Sequence, residues 1–233
     1  MKWSFKIMHK SRLDLLIKAV KSYNVHEVYD KLVITDVSDN FDLKEPEKIF
    51  GFNPKIIRPK VHISSTDNFN LYYKECIDNE DDVMFWTHSD IFFLGDDVLK
   101  KFMERVEKAF EDPNWWIYSD RWYVIAWRIS AIKKIGLVDP NLPNYFSDND
   151  QIYRAKLAGY HAIYTEKLPI HHEGSQTIAS DPMRNTLNMN IFADIFQRYY
   201  IKKWGGTPGQ EKFVIPFNND AMKNYLITEE GWL

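Results

Sequence analysis

The sequence is short of the residues that usually cradle phosphate and of those that staple small folds. Glycine occurs nine times and cysteine once in 233 residues. The glycines are scattered, with no G-x-G-x-x-G and no Walker loop, so a nucleotide would lack the usual backbone cradle. The single cysteine, Cys76, excludes an internal disulfide framework and a cysteine-based zinc site. It suits a reducing compartment, and a cytoplasmic location is expected. Charge of neither sign dominates: 30 basic against 33 acidic residues give a net of −3. No broad electrostatic footprint for nucleic acid follows from that balance. No run approaches the ~20 apolar residues of a membrane-spanning helix. The opening MKWSFKIMHK has neither the apolar stretch nor the small-residue cleavage site of a secretory signal.

Aromatic residues, by contrast, are plentiful. Phe, Tyr and Trp number 15, 13 and 8, and 45% of all residues are hydrophobic. That composition builds a dense core and excludes a disordered or collagen-like chain. The length corresponds to about one and a half domains. The expected division is a domain over residues 1–180 and a helical C-terminal extension over 181–233, packed on it.

Short apolar runs alternate with helical spacing through the first half. Strands are expected at Trp3 to Met8, Leu32 to Ile34, Val61 to Ile63 and Val83 to Trp86. Helices are expected around Leu13 to Val20, Asn68 to Ile77 and Asp96 to Phe110. Further strands are read at Trp115 to Tyr118, Trp122 to Arg128 and His161 to Tyr164. Helices are read at Ser130 to Ile135, Asp150 to Ala158 and Met183 to Tyr200, with a long loop carrying His171 and His172. The rhythm predicts an α/β fold with a mostly parallel central sheet flanked by helices.

In such a sheet, ligands bind beyond the carboxyl ends of the strands. Asp36 and Asp39 follow the second strand, and His88-Ser89-Asp90 follow Val83 to Trp86. Asp148, Asn149 and Asp150 precede a helix, and His171-His172 follow the strand at His161. A divalent metal bridging carboxylate and diphosphate oxygens would replace the missing glycine cradle. Asp90, His88 and His171 could provide its ligands, and a mixed Asp/His set suits manganese. Each residue alone also has a structural reading. Asp36 could cap a turn and Asp148 a helix, and Asp81 and Asp82 sit at the wrong strand end and read as solvated. The case rests on the clusters occurring together and in order.

These segments resemble the family-2-type glycosyltransferases of the GT-A fold, over roughly residues 3 to 177. Leu32 to Asp39 resembles the family's strand ending in an Asp, with a Ser and a second Asp nearby. Phe85 to Asp90 stands where the family carries D-x-D. Gly136-Leu137-Val138-Asp139-Pro140 resembles its G-hydrophobic-hydrophobic-D-E turn. Ser147-Asp148-Asn149-Asp150, with Arg154, Ala155 and Gly159, resembles its E-D-x-D segment, and His171 to Ser175 its late H-x-x-G-S. The resemblance implies an inverting, metal-dependent transfer of a sugar from a nucleotide-diphosphate donor to a hydroxyl. Asp148 would be the general base. Asp36, Asp39 and Asp150 would serve the donor. Asp90, His88 and His171 would hold Mn2+ or Mg2+, with His172 as the substitute for His171. The donor implied is a UDP-sugar. The sequence departs from the pattern at His88, where the family has Asp, and at Ser147, where it has an acid. A glycan, a lipid-linked sugar, another hydroxyl or a modified DNA base remain as acceptors. A nucleotidyltransferase making a sugar nucleotide, or a non-catalytic nucleotide-sugar or carbohydrate-binding module, are the alternatives. Against the first stands Met8-His9-Lys10-Ser11-Arg12, which has no glycine.

Overall fold

The computed structural model describes residues 1–61, 63–143, 145–174 and 193–221. In chain order the elements are β1 (Trp3–His9), α1 (Leu13–Lys21), α2 (His26–Lys31), β2 (Leu32–Asp36), α3 (Pro46–Phe50) and β3 (Lys55–Ile57). There follow α4 (Ser65–Asp78), β4 (Val83–Thr87), β5 (Ile91–Phe93), α5 (Val98–Ala109), β6 (Trp115–Asp120) and β7 (Val124–Arg128). The rest are α6 (Ile129–Ile135), α7 (Ser147–Leu157), β8 (His161–Tyr164), β9 (Ile170–His172), α8 (Ala193–Trp204) and a 3-10 turn at Pro216–Asn218.

Seven strands form one sheet in the order β3-β2-β1-β4-β7-β6-β8. β7 is antiparallel to both neighbours, and every other pairing is parallel. The sheet is therefore mostly parallel, as its sequence rhythm predicts. Its central strands are buried on both faces, which is why β2 (LVITD) and β4 (VMFWT) read as continuous apolar runs. The period-two alternation divides each strand between two cores. Phe5, Ile7, Val83 and Phe85 face one core with Leu16, Val20 and Phe102. Met84, Trp86, Ile125 and Trp127 face the other with Tyr72, Tyr73, Ile132 and Ile135. Cys76 lies in that second core, with its thiol 3.2 Å from Ser4 Oγ, and burial pushes its pKa up to about 12.

Helix starts are set locally where the sequence provides a cap. Ser64 and Asp67 form a reciprocal capping box at the start of α4. The other end of α4 meets the amino end of the sheet, where Lys2 Nζ donates to Asn79 O. Strand β3 lies at Lys55–Ile57, in place of the one expected at residues 61–63. Pro59 has no N–H to give a ladder, so the strand ends before it and Val61 is left 73% exposed. Asp81 is not solvated as expected. It is 8% exposed and accepts a hydrogen bond from Ser4 Oγ at 2.8 Å.

Strand order places the site. From β1 the chain runs outward to β2 and β3, then returns to β4 on the other side of β1. In sheets of this kind ligands bind beyond the carboxyl ends of the strands where the order reverses, here at β1 and β4. The supposed long loop after β8 supplies β9, which pairs antiparallel with β5 beyond the end of β4. This small second sheet was not foreseen, because three-residue strands carry too little pattern to read.

Candidate functional site

The carboxyl ends of β1, β2, β4 and β6 bring His9, Asp36, the segment Thr87 to Asp90, and Asp120 to Tyr123 to one rim. Asp90 is buried at the start of β5, and Glu173 N donates to its main-chain oxygen at 3.1 Å. Its Oδ2 lies 3.3 Å from His172 Nε2. The His172 ring stacks on His88 with centroids 5.7 Å apart, and tilts against Tyr123 at 4.8 Å. His88 in turn meets Trp86 edge-on at 4.3 Å.

Asp90, His88 and His172 therefore stand together, and His171 does not join them. Neighbouring strand residues point to opposite faces. His171 turns to the other side of β9, stacks on Phe92 at 5.9 Å, and places Nε2 2.7 Å from Glu173 Oε2. Of the two histidines expected as candidate ligands, His172 lies beside Asp90 and His88, and His171 lies on the opposite face of β9.

His88 is exposed to solvent on one side and crowded by protein on the other. The loss of surrounding water lowers its pKa to about 4, helped by His172 and opposed by Asp90 and the main chain of Trp122. At neutral pH its imidazole is uncharged. Among the described residues no three His, Cys, Asp or Glu side chains group closely enough to hold a metal unaided. A carboxylate and an imidazole 3.3 Å apart do fit a cation that completes its shell with phosphate oxygens and water.

Asp36 and Asp150, expected at the donor, are each enclosed by protein partners. Both are 0% exposed. Asp36 Oδ1 accepts from Ser38 N at 3.1 Å and Ser38 Oγ at 2.6 Å, and Oδ2 accepts from Leu43 N at 3.1 Å. These bonds shape the turn after β2, which carries the exposed Asp39 and the half-buried Asp42. His9 Nε2 lies 3.0 Å from Asp42 Oδ2, so β1 and that turn are tied together. Asp150 accepts from Arg154 Nε at 2.8 Å and from Trp204 Nε1 at 2.8 Å.

Asp148 is exposed at the second position of α7. That helix ends four residues before β8, which starts beside the start of the parallel β6. Thus α7 runs back along the sheet and its first turn sits at the carboxyl rim. Thr66, at the start of α4, donates through Oγ1 to Leu142 O at 2.6 Å and fixes the approach of that turn.

Two rim features lay outside the sequence reading. Arg121 and Trp122 both adopt left-handed backbone conformations (φ 49° and 63°) in a turn closed by Tyr123 N to Asp120 O at 2.8 Å. Each such non-glycine residue costs roughly 1–2 kcal/mol. Arg121 recovers part of this through Asp120 Oδ1 at 2.6 Å and Leu168 O at 2.8 Å. The second feature is Arg12, left-handed (φ 61°) before α1, with its guanidinium held by Asp14 at 2.9 Å. A turn normally given to Asn-Gly offers no sequence signal when it is built from Arg-Trp.

No protein-family model matches the sequence, and no curated protein is similar to it at a significant level. Solved structures match in fold at low identity. The mannosyltransferase PcManGT from Pyrobaculum calidifontis, solved with GDP-Man and Mn2+, aligns with a TM-score of 0.53 and 13% identity. The match covers 70% of this chain and 54% of that one, so this chain spans about half its length. TarS from S. aureus gives a TM-score of 0.55 at 13% identity, over 85% of this chain and 69% of that one. A cytidylyltransferase from Leptospira borgpetersenii gives 0.53 at 9% identity, over 91% and 99% of the two chains. The fold is of the GT-A, nucleotide-sugar transferase type.

Proposed function

We propose that the chain is a metal-dependent glycosyltransferase that moves a sugar from a nucleotide-diphosphate donor, a UDP-sugar, to an acceptor hydroxyl with inversion. The observation that carries this reading is the Asp90–His172 pair, 3.3 Å apart, beyond β4 at the carboxyl rim of a GT-A-type sheet. PcManGT, of the same fold, was solved with a nucleotide-sugar and Mn2+.

In this reading Asp90 and His172 hold Mn2+, with Mg2+ less suited to the imidazole. The metal supplies neutralisation of the charge that grows on the departing diphosphate. His88, neutral, orients His172 by stacking. Asp36 keeps the turn of Asp39 and Asp42 in place at the nucleoside end. Asp148 accepts the proton of the acceptor hydroxyl as that oxygen attacks the anomeric carbon. One displacement by an oxygen from the opposite face inverts the anomeric centre. The acceptor is a glycan, a lipid-linked sugar or another hydroxyl compound.

The test is nucleoside-diphosphate release from a panel of UDP- and GDP-sugars with Mn2+, with water as the default acceptor. Asp148→Asn should lower turnover by about 100-fold or more while donor affinity persists. Full turnover in that variant removes the base assignment. The product anomer, read by NMR, decides inversion. The cytidylyltransferase match, which spans nearly all of both chains, keeps nucleotidyl transfer as the second reading. That reaction releases pyrophosphate from a nucleoside triphosphate and a sugar phosphate, so pyrophosphate release from CTP or UTP with a sugar phosphate, set beside nucleoside-diphosphate release from the nucleotide-sugars, separates the two.

A further inference from the structure

Helix α7 carries Asp148 on its first turn and has no side-chain cap. The residue before it, Phe146, is left-handed (φ 64°) and offers no side-chain hydrogen bond to the helix amides. An uncapped first turn frays readily. Its restraint comes instead from α8. Phe196, Tyr200 and Trp204, four residues apart, bury one face of α8 against Leu142 and Tyr153. At its last turn Lys203 Nζ stands 2.7 Å from Asp139 Oδ2 and 2.7 Å from Asp150 Oδ1. Trp204 Nε1 donates to Asp150 Oδ1, and Arg154 holds Oδ2. Arg154 also donates to the main-chain oxygens of Ile135 and Leu137. Asp150, Arg154, Lys203 and Trp204 are all at most 7% exposed. Two cations and two carboxylates are therefore locked together in a dry site, two residues from Asp148.

We infer that Lys203 and Trp204 are positioning residues for the reaction proposed above, fixing Asp148 through its neighbour Asp150. The inference rests on that reading of Asp148. Asp150 is gripped from a helix more than 40 residues away, and that grip sets the height and rotation of the first turn of α7. A general base works only within hydrogen-bond reach of the proton it takes. Loosening the grip therefore lowers the chemical step and leaves donor binding, which lies across the rim at Asp90 and His172, unaffected.

The experiment uses the full chain and the UDP-sugar whose hydrolysis is fastest with Mn2+. Lys203→Met is combined with Asp139→Asn, so that one charge of each sign leaves together. A second variant, Trp204→Phe, removes only the indole donor and keeps most of the bulk. The expected result is a fall in kcat of about 10- to 100-fold in the first and a smaller fall in the second, with donor KM within about twofold. Tyr200→Phe is the control. It removes the bond from the Tyr200 hydroxyl of α8 to Glu211, beyond the end of that helix, and leaves the bonds to Asp150 in place, so kcat should stay level. An unchanged kcat in both variants, or a rise in KM that matches the fall in kcat, overturns the inference. The catalytic reading fails separately. Absence of turnover in the unaltered chain, or full activity of Asp148→Asn, removes it and this inference with it. An inactive Asp148→Asn beside a fully active Lys203→Met/Asp139→Asn removes the inference alone.

Discussion

His171 and His172 are neighbours in the chain and opposites in the site. One sits on Phe92 beside Glu173, the other against Asp90, His88 and Tyr123. A motif read along the sequence treats the two as equivalent candidates. The pleat of β9 separates them. A mutational comparison follows from this. His172→Ala should cut Mn2+-stimulated turnover by about 100-fold, whereas His171→Ala should change it less than threefold. Titrating Mn2+ against both variants checks the assignment, and equal losses would remove it. Asp36 teaches a related lesson. Its position at the end of β2 was legible, but a carboxylate at a strand end serves equally to fold the next turn. Here it bonds to Ser38 and Leu43 in the turn that follows.

Between elements, the docking of α8 on α7 is where charge and packing meet. Burial works to raise the Asp139 carboxyl pKa, but Lys203, the Asn141 amide and the Tyr199 hydroxyl outweigh it. Its pKa ends below its ordinary value of 3.8. A depressed folded pKa adds stability that is complete above the unfolded value. That stability is lost as pH falls through the folded value. Urea unfolding measured from pH 6 down to 3 should show this loss beginning below about pH 4. Asp139→Asn should cost about 1–3 kcal/mol at pH 7 and flatten that part of the profile. An unchanged acid slope in the variant would mean that other carboxylates govern it. None of this was legible in the sequence. Lys203-Trp204 read as part of a tail, since a clasp between residues more than 50 positions apart leaves no local pattern.

Taken whole, the molecule hangs on a sheet whose middle strand serves two cores. The wide features of that plan were legible. Long apolar runs named β2 and β4, and helical spacing named α1, α4 and α5, because deep burial forces strong patterns. Short elements escaped: α2, α3, β5 and β9 are each six residues or fewer. Strand β4 joins the cores, with Phe85 on one side and Met84 and Trp86 on the other. Phe85→Ala should therefore cost about 3–5 kcal/mol. Tryptophans stand in both cores, Trp3 and Trp115 with Phe85 and Trp86 and Trp127 on the far face, so their fluorescence should shift its urea midpoint together with far-UV circular dichroism. Separate midpoints would show that the faces unfold independently. At this scale the site also gains its logic. The fold supplies a rim at the strand-order reversal, and the residues on short loops decide its chemistry.

Cys76 carries a practical consequence. The only thiol in the chain is enclosed between α4 and the sheet and is held in its unreactive protonated form. A fluorophore or spin label coupled through maleimide would therefore find no native competitor on the folded surface. A cysteine introduced on the carboxyl rim, at the exposed Asp39 for example, would become a unique attachment point. Distances from such a label to a donor nucleotide could be followed without first engineering the background.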